Sequence, residues 1–276
     1  GLLIAVMHTL WVRTGKPEWL RMTRFWGRIY LINFVLGVAT GLVQEFPFGL
    51  AWSEYSRVVG DVFGSLLALE ALLAFFLEST FLGLWIFGWG RIPKKLHLAA
   101  LWAAVVGSIV SAYFIIAANS WMQHPVGVEV DDATGRPVQV DFLAVLTNTT
   151  ALAAFSHAIV AALVVAGALL VSIGLWHLRR RKLAGQPTTD VSGGRVDDMV
   201  WRRSVRLGGW VSLAAFVLVV LTGDWQGKLM YEQQPLKMSS AEALCETEAP
   251  ASFSVFAWGK LGSNECDDVH SITVPY

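Results

Sequence analysis

Charge is scarce in this chain: Asp, Glu, Lys and Arg make up 15% of its 276 residues, against 55% hydrophobic ones. Mean hydropathy is +0.53. A soluble domain must solvate its surface and carries about 25% charged residues, so the composition speaks against a soluble fold. Formal net charge is zero, which removes the electrostatic basis for general nucleic-acid binding. Cysteine is nearly absent, with Cys245 and Cys266 alone. No phosphate-cradling glycine loop, HExxH, CxxC or serine nucleophile elbow occurs, so common soluble-enzyme chemistries leave no signature. Ten-residue stretches of strict alternation, the mark of a transmembrane barrel, are missing too, as are internal repeats and low-complexity tracts.

What the chain does have is long apolar runs. A helix needs about 20 apolar residues to cross a bilayer, and five runs qualify: Arg24 to Leu50, Val59 to Trp89, His97 to Trp121, Thr149 to Leu178 and Trp201 to Thr222. Gly1 to Val12 is shorter and reads as the tail of a spanning helix that starts earlier. Backbone groups in hydrocarbon must be satisfied internally, which selects helices over open sheets. The expected fold is all-α, a polytopic transmembrane helix bundle over residues 1–222, followed by an external, polar segment over 223–276. Trp11, Trp52, Trp121, Trp201 and Trp225 sit near run ends, where amphipathic rings settle at a membrane interface. Basic residues gather in alternate connections: Arg13, Lys16, Arg21 and Arg24; then Arg91, Lys94 and Lys95; then Arg179, Arg180, Arg181, Lys182, Arg195, Arg202 and Arg203. The positive-inside rule puts these connections in the cytoplasm and residues 223–276 outside.

Ionisable residues inside hydrocarbon are costly and are retained for function by default. His157 lies in an apolar stretch near the outer end of its run. Its imidazole could ligate a haem iron or be a hydrogen-bonded core histidine. Glu70 and Glu78 share one run. In a regular helix, eight residues place them about 80° apart and about 12 Å along the axis. They read either as two proton-relay stations, with Ser79 and Thr80 holding water, or as carboxylates paired to cations on neighbouring helices. Asn119, Gln123, Gln44 and Glu45 fit interfacial caps. His8, His97, His124, His177 and His270 fall at run ends or in loops, where interfacial placement is expected. In the external segment, Lys237 and Glu242 are five apart, a spacing also found on any solvated helix. Cys245 and Cys266 face an oxidising compartment. A disulfide closing that loop would add about 3 kcal/mol; two free thiols is the other reading.

Several stretches resemble cytochrome bd oxidase subunit I: Phe25-Trp26-Gly27, Asn33 through Leu42, Gln44-Glu45-Phe46, Gly60 through Gly64, Ala74 through Phe81, and Ala118 through Gln123. The paired cysteines and Gly227 through Met230 look like actinobacterial members. The resemblance implies a low-spin haem b, a high-spin haem b and haem d. It gives His157 as the low-spin haem b ligand, Lys237 and Glu242 as quinol-oxidation residues, and Glu70 and Glu78 as acids of proton supply. It implies a plasma-membrane enzyme that oxidises quinol outside, menaquinol by the actinobacterial look, and reduces O₂ to water without pumping. A second large subunit and small accessory subunits would be partners. The family's first-helix histidine would precede Gly1. The methionine completing low-spin ligation and the high-spin glutamate belong beyond Tyr276, so two of the three haems need ligands outside this chain. A haem b membrane anchor of a dehydrogenase and a proton-coupled transporter are the alternative readings.

Overall fold

The computed structural model describes residues 1–185, 194–244, 246, 250–259 and 269–274. It divides into two compact units, Gly1–Val220 and Leu221–Tyr276. In the first unit α1 (Leu2–Thr14) leads into α2 (Pro17–Leu50), with Pro17 at the helix start, where its missing N–H costs nothing. Next come α3 (Ser53–Leu69), a π-helical segment (Glu70–Phe75) and α4 (Phe76–Phe87), which run as one continuous rod. α5 (Lys94–Gln123) returns antiparallel to it. A small hairpin of β1 (Val128–Val130) and β2 (Pro137–Gln139) and the short α6 (Phe142–Leu146) connect to α7 (Thr149–Leu183). α8 (Gly194–Gln233) follows. Among the described residues, five helical stretches are long and apolar enough to cross a membrane: Pro17–Leu50, Ser53–Phe87, Lys94–Gln123, Phe142–Leu183 and Asp197–Gln233.

The expected helical bundle is therefore present, and its helices reach beyond the apolar runs: α2 starts at Pro17 rather than Arg24, α3 at Ser53 rather than Val59, and α7 ends at Leu183 rather than Leu178. The last long helix ends at Gln233 rather than at Thr222. The drop in hydropathy after Thr222 is not a helix stop. Asp224 and Lys228 form an i,i+4 ion pair at 2.7 Å on this extension, a spacing that supports a solvated helix.

Two apolar clusters hold the first unit together. One gathers Met7, Met22, Trp26, Trp85, Leu101 and Trp201 toward the end with the basic connections. The other gathers Val59, Val62, Phe63, Leu66, Trp121 and Val145 at the opposite end. There, Asn148 caps α7 by accepting from Thr150 N–H at 3.0 Å, and its amide donates to the His124 carbonyl at 3.0 Å. This ties the start of α7 to the end of α5 and sets the height of every residue on α7.

α7 and α8 meet through glycine. A Cβ built on Gly208 would lie 2.5 Å from the Gly167 carbonyl oxygen, and one on Gly167 would lie 2.7 Å from the Gly208 carbonyl oxygen. Small residues let helix backbones approach where no hydrophobic effect drives them together. Gly208→Leu is expected to separate the two helices and cost about 1–3 kcal/mol or more. A thermal melt of the purified protein in detergent, unchanged from the parent, would refute this contact.

The second unit holds the end of α8, then α9 (Pro235–Ala241), and an antiparallel pair of β3 (Phe253–Gly259) and β4 (Val269–Val274). Cys245 and Cys266 lie outside the described residues, so the expected disulfide is neither seen nor opposed.

Candidate functional site

The two membrane-depth carboxyls are brought to one neighbour. Ser108 Oγ donates to Glu78, and Ser111 Oγ donates to Glu70 at 2.7 Å. Both serines belong to α5, so the acids face the same helix. Glu78 is only 7% exposed, and among the described residues neither acid makes an ion pair. The contrast with other buried acids is direct. Glu18 is held by Arg203 at 2.9 Å and Asp198 by Arg202 at 2.7 Å. Cation pairing, one of the two readings open in the sequence, is thus not what these two acids do here.

A regular helix would not have aimed them together. Glu70 opens the π-helical segment, Glu70–Phe75. A π-bulge inserts one extra residue into a helix, so eight positions turn the helix about as far as seven. The offset falls from about 80° to about −20°, and both carboxyls reach α5. The close approach of α5 depends on Gly107, whose Cβ would lie 3.0 Å from the Glu78 amide nitrogen and 3.1 Å from the Ala74 carbonyl oxygen. Ser79 donates to the Phe76 carbonyl at 3.2 Å, and the acids' partners come from α5 instead. Ser108 and Ser111 were the residues missed by sequence reasoning. Two hydroxyls three apart in an apolar run were the available signal.

His8 and His97 correct an expectation. Both were expected at an interface, yet they are 0% and 3% exposed. Trp85 Nε1–H donates to His8 Nδ1 at 3.3 Å, His8 Nε2 lies 3.4 Å from His97 Nδ1, and His97 Nε2 lies 2.8 Å from the Trp85 carbonyl oxygen. A carbonyl only accepts, so His97 Nε2 carries a proton. In uncharged rings His97 Nδ1 then accepts from His8 Nε2. The bonds close on Trp85 with every atom matched once. Trp11 and Trp89 stack on His8. Position near a run end did not reveal this, because α1 is flanked by α2 and α5, whose side chains cover it. His177 stacks on Trp201 at 3.8 Å between ring centres, and His270 packs against Trp258 on the β3–β4 pair.

His157 is half-buried on α7, eight residues or about 12 Å from Thr149. Two residues before it, Phe155 meets Tyr113 of α5 edge-on at 5.0 Å. Gln123 donates to the Asn119 side chain at 3.1 Å at the end of α5. Gln44 is exposed on α2, and Glu45 is placed by its backbone alone. In the second unit, Glu242 caps α9, and its Oε2 accepts from Ser254 N–H of β3 at 2.8 Å. Ser254 Oγ donates to the Glu242 carbonyl at 2.6 Å. Lys237 is exposed on α9. Five positions on a helix turn through about 140°, so the two side chains leave the helix in different directions, with the Glu242 carboxyl anchored on β3.

These features define a polytopic helical membrane protein with uncompensated acids inside its bundle. The family model described as cytochrome bd terminal oxidase subunit I matches residues 1–276, and the chain belongs to that family. It is 40% identical over 275 residues to cytochrome bd ubiquinol oxidase subunit 1 of Bacillus subtilis, covering 99% of this chain and 55% of the relative. It is 42% identical over 257 residues to cytochrome bd-II ubiquinol oxidase subunit 1 of Escherichia coli, covering 93% of this chain and 47% of the relative. The bd oxidase from Geobacillus thermodenitrificans contains a chain that superposes with a TM-score of 0.82 at 28% identity, over 100% of this chain and 59% of that one. The chain thus spans about half the length of the curated relatives it matches.

Membership implies haems, and the donor chemistry fits them. Among the described residues no group of three His, Cys, Asp or Glu side chains could hold a bare metal ion. The His157 imidazole in an apolar stretch of α7 is a donor that would hold a haem iron, and the haem would supply electron transfer.

Proposed function

We propose that this chain forms the quinol-oxidising, haem-carrying part of a respiratory oxidase that reduces O₂ to water and works with a second large subunit and small accessory subunits. The observation that carries the reading is the pair of bundle acids, each bonded to a serine and to no cation among the described residues, in the same helical unit as the half-buried His157.

His157 would hold the low-spin haem b through an imidazole nitrogen. The high-spin haem b and haem d would draw ligands from outside this chain. When bound, the haems supply one-electron transfer and O₂ reduction. The chain's own residues handle substrate and protons. Residues 223–276 form the external quinol site. Lys237 holds the quinol headgroup. Ser254 engages Oε2 of Glu242 and leaves Oε1 for the quinol hydroxyl, whose proton it accepts. Glu78 and Glu70, bridged to α5 through Ser108 and Ser111, hold protons drawn from the cytoplasm. Two quinols and one O₂ give two quinones and two waters. Protons leave outside and are consumed from inside, so charge crosses the membrane without a pump. The actinobacterial resemblance favours menaquinol as the substrate.

Glu242→Gln keeps the acceptor for Ser254 but removes the base. In the assembled oxidase it is expected to slow quinol oxidation about 100-fold, the lower range for losing a positioned proton acceptor, with haem content unchanged. Glu242→Ala should do the same. Normal turnover in both variants would remove Glu242 from the quinol site, and a faster rate with ubiquinol than with menaquinol would reverse the quinone assignment.

A further inference from the structure

The end of the bundle that carries the basic connections has more cations than carboxylates to pair them. Glu18 is taken by Arg203 at 2.9 Å, Asp198 by Arg202 at 2.7 Å, and Asp197 by both Arg21 at 2.5 Å and Arg181 at 3.6 Å. Arg24 and Arg28 are left over. Both are exposed, and among the described residues neither makes an ion pair. They stand four apart on α2, one above the other on the same face, about 6 Å between Cβ atoms.

The two guanidinium groups border a cavity of about 290 Å³ between α2 and α4, lined also by Leu31, Trp85, Ile86 and Trp89. That is room for roughly ten waters at ~30 Å³ each, enough for a phosphodiester headgroup but not for acyl chains. Gly27 opens the α2 wall: a Cβ there would lie 2.8 Å from the Trp85 ring. Arg24 is steadied over the Trp89 face at 5.1 Å. Below the arginines α2 turns apolar and open, with Ile32 63%, Val35 62% and Leu36 59% exposed.

We propose that this cleft binds the headgroup of an anionic phospholipid in the cytoplasmic leaflet. Paired guanidiniums match phosphate oxygens in a fork geometry that a single ammonium cannot offer. Basic pockets between spanning helices on the cytoplasmic side recognise such headgroups. The cleft has the polarity of a lipid: cationic at the headgroup level, apolar along Leu31 and Ile86, and continuous with the exposed apolar stripe of α2 that would carry the acyl chains. Free phosphate would use only the first of these, so the lipid is the occupant.

The test uses the assembled oxidase with the full-length subunit, depleted of lipid and then incubated with phosphatidylglycerol or phosphatidylcholine. Retained lipid is counted by native mass spectrometry. Roughly fivefold in affinity per basic residue near the surface predicts about 25-fold weaker phosphatidylglycerol retention at this site in R24Q/R28Q, with phosphatidylcholine unaffected. Leu31→Trp, which fills the cleft and keeps both charges, should also weaken retention and guards against a failure of the double variant to assemble. Equal retention by parent and Leu31→Trp overturns the proposal. So does displacement of the lipid by millimolar inorganic phosphate alone, or density for a protein segment of another subunit filling the cleft.

Discussion

In the assembled oxidase, His157→Ala is expected to remove the low-spin haem b contribution from the reduced-minus-oxidised spectrum and to bring quinol-dependent O₂ uptake to background. The effect should be large because α7 offers no substitute. Its window is the most apolar of the candidate spans, with a hydropathy of 2.7, and an alanine leaves a methyl where an axial nitrogen is needed. His157 is only half-buried and belongs to neither apolar cluster. The helix should therefore still form, and added imidazole should recover part of the signal. An unchanged spectrum would end the ligand assignment. A lost spectrum with no imidazole recovery and a collapsed melting curve would point to a core role instead.

How much of this could be read from residues alone differs between the fold and the site. The long helices were readable because the bilayer imposes a length and a composition together, and few other environments tolerate runs such as His97 to Trp121. The end of α8 at Gln233 was not readable by hydropathy, since helix and membrane need not stop at the same residue. Glu70, Glu78 and His157 stood out for the same reason the helices did: an ionisable group in an apolar run is conspicuous. Their partners did not. Ser108 and Ser111 are small and common in spanning helices, and their importance follows from the antiparallel packing of α5, which no local pattern states. The π-helical segment has no composition cue in Glu70-Ala71-Leu72-Leu73-Ala74-Phe75 either. It coincides with the bonds that both acids make to serines of α5.

His8 and His97 teach the complementary lesson. A residue near the end of an apolar run is at an interface only if nothing else covers it. Here three tryptophan rings and the partner imidazole do so. The matched donors and acceptors explain why two polar rings persist there: each buried nitrogen is used once, which avoids the penalty of about 1–3 kcal/mol for an unpaired polar group.

The second large effect is expected at Glu78. Glu78→Gln retains an oxygen to accept from Ser108 but cannot carry a proton, so O₂ uptake should fall about 100-fold or more while the haem spectrum stays intact. A structural role would predict the reverse, a preserved rate with a shifted melt. The helix geometry supplies a second arm that leaves both acids in place. Leu72 is 72% exposed and lies in the π-helical segment. Deleting it removes the extra residue. Glu70 and Glu78 would then be seven apart in a regular helix, still at about −20°, and activity should persist. Inserting an alanine after Leu72 instead turns Glu70 by about another 100°, takes it away from Ser111 and should lower the rate as Glu78→Gln does. Equal activity in the deletion and insertion variants would mean that the facing of the two acids toward α5 does not matter for proton supply.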